Sequence, residues 1–95
     1  KYNSIVNLID YYLESDLNAA KKYIDLGDKY MTDLQPDETF TRYYHLKADY
    51  YIKLGNFSAA QKTLLKSLRL DDRLGLAQNY YNDRDLLAVI QMYLG

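Results

Sequence analysis

The chain has 95 residues, of which 48% are hydrophobic and 26% are charged, and this balance is typical of one small globular domain and argues against a disordered tail. Its net charge is −1, so no basic excess predicts binding to a nucleic-acid backbone. The absence of cysteine excludes disulfides, thiolate nucleophiles and Cys-ligated metals.

The ends and hydropathy of the sequence say little about its cellular compartment. No apolar run of about eighteen residues predicts a membrane-inserted helix, and no signal peptide is recognised. The first residue is Lys1 rather than methionine, so we expect the chain to be part of a longer protein. Both the cytoplasm and the periplasm remain open as its location.

Five helices are predicted, because glycine and proline are scarce and apolar residues recur at helical spacing. The first covers residues 3–14. The second covers 17–32 and begins after Asp16, whose side chain can accept hydrogen bonds from free N–H groups. The third covers 38–54 and opens at Pro36 and Asp37.

The last two predicted helices follow the same chemistry at their ends. The fourth covers 57–70, with Asn56 as its N-cap and Gly55 taking the left-handed conformation that ends the helix before it. The fifth covers 72–94, where Asp71 and Asp72 are predicted to cap the helix and to oppose its dipole. Gly95 occupies the same place after the fifth helix as Gly55 after the third.

A repeat becomes visible when the sequence is offset by forty residues. The offset aligns identical residues at turns and at small-residue positions, and these pairs are Tyr11 with Tyr51, Ala19 with Ala59, Ala20 with Ala60, Ala48 with Ala88, and Gly55 with Gly95. Residues 1–36 and 37–71 would then be complete two-helix units, and 72–95 an incomplete third.

Residues 44–72 resemble a tetratricopeptide repeat. Tyr44, Ala48 and Tyr51 occupy the family's aromatic and small positions on its first helix, and the turn "LGNF" (54–57) looks like its inter-helix turn. Ala60, Leu64 and Ser67 follow on the second helix. The repeat is longer than the family's usual length of about thirty-four residues, as in elongated repeats of bacterial signalling proteins.

The resemblance implies an all-α, right-handed solenoid of two helical hairpins plus one further helix. In such a stack small residues let helix backbones approach each other closely. We expect four alanines to lie at such close contacts: Ala20, Ala48, Ala60 and Ala88.

The resemblance also implies a binding groove lined by the first helix of each unit. Such a mixed polar and apolar strip suits an extended peptide or a helix, although an ordinary solvated face would have the same pattern. The residues implied are Tyr2, Ile5, Ile9 and Tyr12 from the first unit, Arg42, His45, Asp49 and Ile52 from the second, and Asn82, Asp85, Val89 and Met92 from the fifth helix.

Catalytic and metal-binding patterns are not found. His45 is the only histidine, and Asp49 lies one helical turn away as a partner for it. Asp83 and Asp85 are two residues apart on one predicted helix and point in different directions. We therefore expect no enzyme activity, no cofactor and no metal. Twelve tyrosines, many in doublets, are expected to place one ring between helices and the other at the rim.

The function predicted is interaction with a protein or peptide in the groove. The alternatives are a regulatory or sensor segment of a larger bacterial signalling or transcription-regulatory protein, and a structural spacer. The fifth helix carries an apolar face that we expect to form a homodimer in the isolated chain, and this face comprises Leu86, Leu87, Val89, Ile90 and Leu94.

Overall fold

A computed structural model of the chain describes residues 2–31 and 37–94. The described residues form five α-helices, and they contain no strand: α1 Tyr2–Leu13, α2 Leu17–Met31, α3 Glu38–Lys53, α4 Phe57–Leu74 and α5 Ala77–Leu94. The all-α prediction is therefore confirmed. None of the described helices has the combination of length and hydropathy that crossing a membrane requires.

Three helices begin where the sequence predicts, because the predicted caps form. Asp16 Oδ1 accepts from the backbone N–H groups of residues 18 and 19 at 3.1 and 3.2 Å. Asp37 Oδ1 accepts from the Thr39 N–H at 2.9 Å, and Asn56 Oδ1 accepts from the Ala59 N–H at 3.2 Å. Each bond satisfies an N–H group that the helix itself leaves unpaired.

The predicted boundary between the fourth and fifth helices is wrong. Asp71 and Asp72 lie inside α4, which continues to Leu74 and ends at Gly75 with φ 71°. The N–H groups of Gly75 and Leu76 bond back to the carbonyls of Asp72 and Asp71, closing the helix end. Gly55 takes the same left-handed conformation after α3, with φ 78°, as predicted. Pro36 and Gly95 lie outside the described residues.

The core consists of two apolar clusters that share α3. The first joins α1 and α2 to α3 through buried side chains that include Val6, Ile9, Ile24 and Tyr43. The second joins α4 and α5 to α3 through Ala48, Ala60, Leu64 and Ile90. Accordingly α3 packs against α1, α2, α4 and α5, and is the central helix of the domain.

Small residues permit close helix approach at three of the four predicted positions. Ala20, Ala48 and Ala60 are all fully buried. Ala88 is exposed, so that prediction is wrong: Ala88 lies on a different face of α5 from the fully buried Ile90, which packs in the second cluster. Gly27 adds a contact of the same kind, because a Cβ there would lie 2.6 Å from the Tyr43 ring.

The tyrosine doublets divide between the interior and the rim. Tyr43 and Tyr50 are buried, and the ring after each is half-buried. The hydroxyl of Tyr43 donates to the Ile24 carbonyl at 2.7 Å, and burial together with the Asp28 carboxylate raises its pKa far above the ordinary value. Tyr11 and Tyr81 are exposed next to half-buried partners.

Candidate functional site

Two adjoining clefts lie between α3 and α5, and together we call them the α3/α5 groove. They have volumes of about 410 and 370 Å³, and His45 and Asn82 line both. The first is otherwise lined by Glu38, Thr39, Thr41, Arg42, Asn79 and Asp83, and the second by Asp85, Leu86 and Val89. The groove is thus polar at one end and partly apolar at the other.

Ion pairs connect α1 to the α3 side of the groove. Arg42 donates to Asn7 Oδ1 at 2.7 Å and to Asp10 Oδ2 at 3.3 Å. Lys53 lies 3.8 Å from Glu14. These exposed contacts add little to stability, but they pair Arg42 with a carboxylate of α1 and Lys53 with Glu14 in the turn after α1.

The floor of the groove is a buried carboxylate. Asp83 is only 2% exposed, and its Oδ1 lies 2.6 Å from His45 Nδ1. Its Oδ2 accepts from the Ser67 hydroxyl, which also lies 3.1 Å from the Thr41 carbonyl oxygen. Side chains of α3, α4 and α5 therefore meet at one carboxyl group.

The order of groups in this network decides what chemistry it can support. Asp83 lies between the serine and the histidine, whereas a histidine that activates a serine must lie between that serine and the acid. The network therefore holds three helices in register and orients the His45 ring at the groove.

A second buried carboxyl group lies beside the first. Asp71 is 1% exposed, and neither of its side-chain oxygens has a hydrogen-bond partner of normal geometry in the described part of the chain. Burial raises the pKa of Asp71, and the neighbouring Asp83 raises it further, to about 7, while Thr41 and His45 oppose the shift. The folded protein therefore favours a proton on this group at mildly acidic pH.

Thr41 and Asn79 meet at the first cleft, and Asp49 lies on α3 outside the cleft linings. Thr41 Oγ1 donates to the Glu38 carbonyl at 2.9 Å and accepts from Asn79 Nδ2 at 2.8 Å, which fixes the amide at the mouth of the first cleft. Burial raises the pKa of Asp49, although Lys53 and His45 oppose this shift.

Five of the twelve groove residues named from the sequence line the groove: Arg42, His45, Asn82, Asp85 and Val89. His45 on α3 pairs with Asp83 on α5. The expected pairing of His45 with Asp49, on the same helix, is not observed.

The remaining residues lie elsewhere. Ile5 and Ile9 are core residues, a correction to their assignment, because α1 turns this apolar stripe towards α2 and α3. Tyr12 stacks on Tyr23 with ring centroids 5.6 Å apart. Asp49 and Ile52 are half-buried outside the cleft linings, and Met92 is 82% exposed. The side chain of Tyr2 is outside the described residues.

Sequence reasoning missed the buried acids that underlie the groove. A signal was available, because Asp83 falls on the same helical stripe as Leu86, Leu87 and Ile90. Asp71 likewise continues the stripe of Leu64 and Ser67 on α4. An acid at a core position of an amphipathic helix predicts a buried, specifically paired group.

Comparison with family models, with curated proteins and with solved structures finds no match for this chain. The candidate site is therefore defined by the geometry and charge of the chain's own residues.

Proposed function

We propose that the chain is a tetratricopeptide-like, right-handed solenoid that binds a segment of a partner protein in the α3/α5 groove. The packing of α1 against α3 and of α3 against α5, in addition to each sequential pair, supports stacked helical hairpins. The observation that carries the proposal is the pair of adjoining clefts, since their volumes lie in the range of ligand-binding pockets.

Charge favours a basic partner segment. Arg42 is already paired with Asp10 of α1, and Lys53 with Glu14 in the turn after α1. Glu38, Asp49 and Asp85 form no ion pair within the part of the chain that the structure describes, and they lie at or beside the groove. Lys or Arg side chains of a partner would neutralise them, and Leu86 and Val89 would contact its apolar side chains.

One observation favours the second candidate, a regulatory segment of a larger signalling protein. The buried pair Asp71 and Asp83 lies beneath the groove and connects to His45 at its surface. A ligand that engages the imidazole, or a change in protonation below it, would alter packing among α3, α4 and α5. In this reading the groove transmits a signal along the stack.

The partner is to be captured by pull-down with the full-length protein, and its affinity measured for two charge-reversal variants. Glu38→Lys/Asp85→Lys changes exposed groove positions and should lower affinity by roughly tenfold or more, because it opposes a basic segment. The matched control Asp25→Lys/Asp72→Lys changes net charge equally at exposed positions outside the groove and should have little effect. An equal loss in both variants, or in neither, would refute the proposed site.

A further inference from the structure

The outward face of α4 carries a line of cations. Lys62, Lys66, Arg69 and Arg73 are all exposed and follow each other at spacings of four, three and four residues. On a helix this spacing places them within an arc of about 60°, and the line is about 16 Å long. Directly opposite lies the buried face, with Ala60, Leu64, Ser67 and Asp71. We call this line of four cations the α4 basic stripe.

A cleft adjoins the stripe where α3 meets α4. It has a volume of about 220 Å³ and is lined by three of the stripe's cations, by Phe40 and Leu70, which are buried, and by the half-buried Tyr44. Three cations and a ring that carries a hydroxyl therefore surround a small concave site. This site is separate from the α3/α5 groove, with which it shares no lining residue.

The stripe forms no ion pair with any described residue. The exposed Asp72, about 60° around the helix from Arg69, does not pair with either neighbouring arginine. Elsewhere exposed cations do pair, as Lys21 does with Asp25 and Lys53 with Glu14.

Helix stability does not explain the stripe. The helix dipole favours cations in the last turn of a helix, which accounts for Arg73 but not for Lys62, Lys66 or Arg69. Like charges four residues apart, such as Lys62 with Lys66, destabilise a helix by a few tenths of a kcal/mol per pair. The arrangement costs stability in the isolated chain, and a partner that brings negative charge would recover it.

We propose that the α4 basic stripe is a second interaction surface, which binds an acidic segment of a partner protein and seats one of its carboxylates in the cleft beside Tyr44. Carboxylates three and four residues apart on a helical segment match the spacing of the cations along α4. Two arginines at the cleft can each hold a carboxylate through paired N–H bonds.

A nucleic acid fits less well. The whole chain has a net charge of −1 and an acidic groove, so a long polyanion meets repulsion beyond the stripe. Four phosphate contacts alone would give weak binding that salt readily disrupts. A short acidic peptide needs only the stripe itself.

The test is fluorescence anisotropy of the 95-residue chain with a labelled, helix-forming peptide that carries Glu at spacings of three and four residues. The same peptide with Gln in place of Glu is the ligand control. Binding of the Glu peptide should weaken with salt and should fall by roughly tenfold or more in Lys66→Glu/Arg69→Glu. A second variant, Lys62→Glu/Arg73→Glu, guards against loss of folding in the first, and circular dichroism checks both.

The matched control is Lys22→Glu/Arg84→Glu, which changes net charge equally at exposed positions of α2 and α5. Its affinity for the Glu peptide should stay within about threefold of the unaltered chain. Equal losses in stripe and control variants, or equal binding of the Glu and Gln peptides, would overturn the proposal. Tighter, stripe-dependent binding of duplex DNA or of phosphatidylserine vesicles than of the Glu peptide would also overturn it, because the surface would then serve a different class of partner.

Discussion

At the scale of single residues, the unusual feature of this small domain is a pair of carboxyl groups in its interior. Asp71 and Asp83 are 1% and 2% exposed. Removing an ionised carboxylate from water is costly unless it is paired. Asp83 is paired with His45 and Ser67, whereas neither carboxyl oxygen of Asp71 has a hydrogen-bond partner of normal geometry among the described residues, so a proton on Asp71 relieves the cost.

Asp71 should make the domain less stable as pH rises. Its folded-state pKa of about 7 lies above the ordinary value for an aspartate. The native state therefore holds an extra proton between these two values, and stability falls as pH rises through this window. Asp71→Asn removes the penalty, so urea unfolding should find the variant more stable than the parent at pH 8, by up to a few kcal/mol, with a smaller difference at pH 4.5.

Asp83 and His45 also face Asp71. Asp72 supplies the control, because it is the next residue along the chain but is exposed to solvent. Asp72→Asn should shift stability by a small amount that does not depend on pH in this way. If the free energies of unfolding of Asp71→Asn and the parent differ by the same amount at every pH, Asp71 does not titrate as described.

At the scale of helices, the packing of α3 against α4 and α5 depends on two small side chains. Ala48 and Ala60 are fully buried in the same cluster as Leu64 and Ile90. The largest buried side chains of this cluster are Leu64 and Ile90, and the two alanines let its helices lie close together. A larger side chain at either alanine would therefore find no free space. The same cluster supports the floor of the groove, because Ser67 lies one turn beyond Leu64.

Ala60→Leu should destabilise the domain, because the added carbons meet packed neighbours, at a cost of roughly 1–3 kcal/mol. Ala88→Leu is a matched control, since it adds the same atoms at an exposed position of α5 and should change stability little. Chemical denaturation measures both. A fully stable Ala60→Leu variant would show that the α3–α4 contact is looser than described.

At the scale of the whole molecule, charge and apolar surface are distributed unevenly although the net charge is only −1. Glu38 and Asp85, which form no ion pair with any described residue, line the α3/α5 groove, and the α4 basic stripe lies on the outward face of α4. The C-terminal half of α5 exposes Met92, Tyr93 and Leu94 by 82%, 65% and 46%. The exposed apolar face of α5 is narrower than the sequence predicts, because Ile90 is buried and Leu86 and Leu87 pack against the core.

The exposed end of α5 should still drive self-association of the 95-residue chain. We expect a two-fold homodimer at high concentration, because contiguous exposed apolar side chains tend to be covered. Sedimentation equilibrium measures the association, and Met92→Lys/Leu94→Lys should yield a monomer. Gln91→Lys is the control at a neighbouring exposed position and should still dimerise. A parent chain that stays monomeric would contradict the prediction.

The parts of this protein that depend on neighbours along the chain could be predicted without its tertiary structure. Helical periodicity predicted five helices, and the side chains of Asp16, Asp37 and Asn56 set three of their starts, since a cap needs only the next three residues. Of the four alanines predicted to lie at close helix contacts, Ala20, Ala48 and Ala60 are buried there, because the repeat places small residues at equivalent packing positions, and Ala88 is exposed.

Contacts between residues far apart in the chain depend on how the helices pack, and these could not be predicted. His45 bonds to Asp83 rather than to Asp49, because packing of α5 brings a buried acid to the histidine across 38 residues. Ile5 and Ile9 became core because α1 is covered by both α2 and α3. Asp71 lies inside α4 because the helix continues to Leu74, so that its carboxyl group is buried in the core and does not cap α5. These outcomes depend on burial and on pairing between helices, and neither is a property of a local sequence pattern.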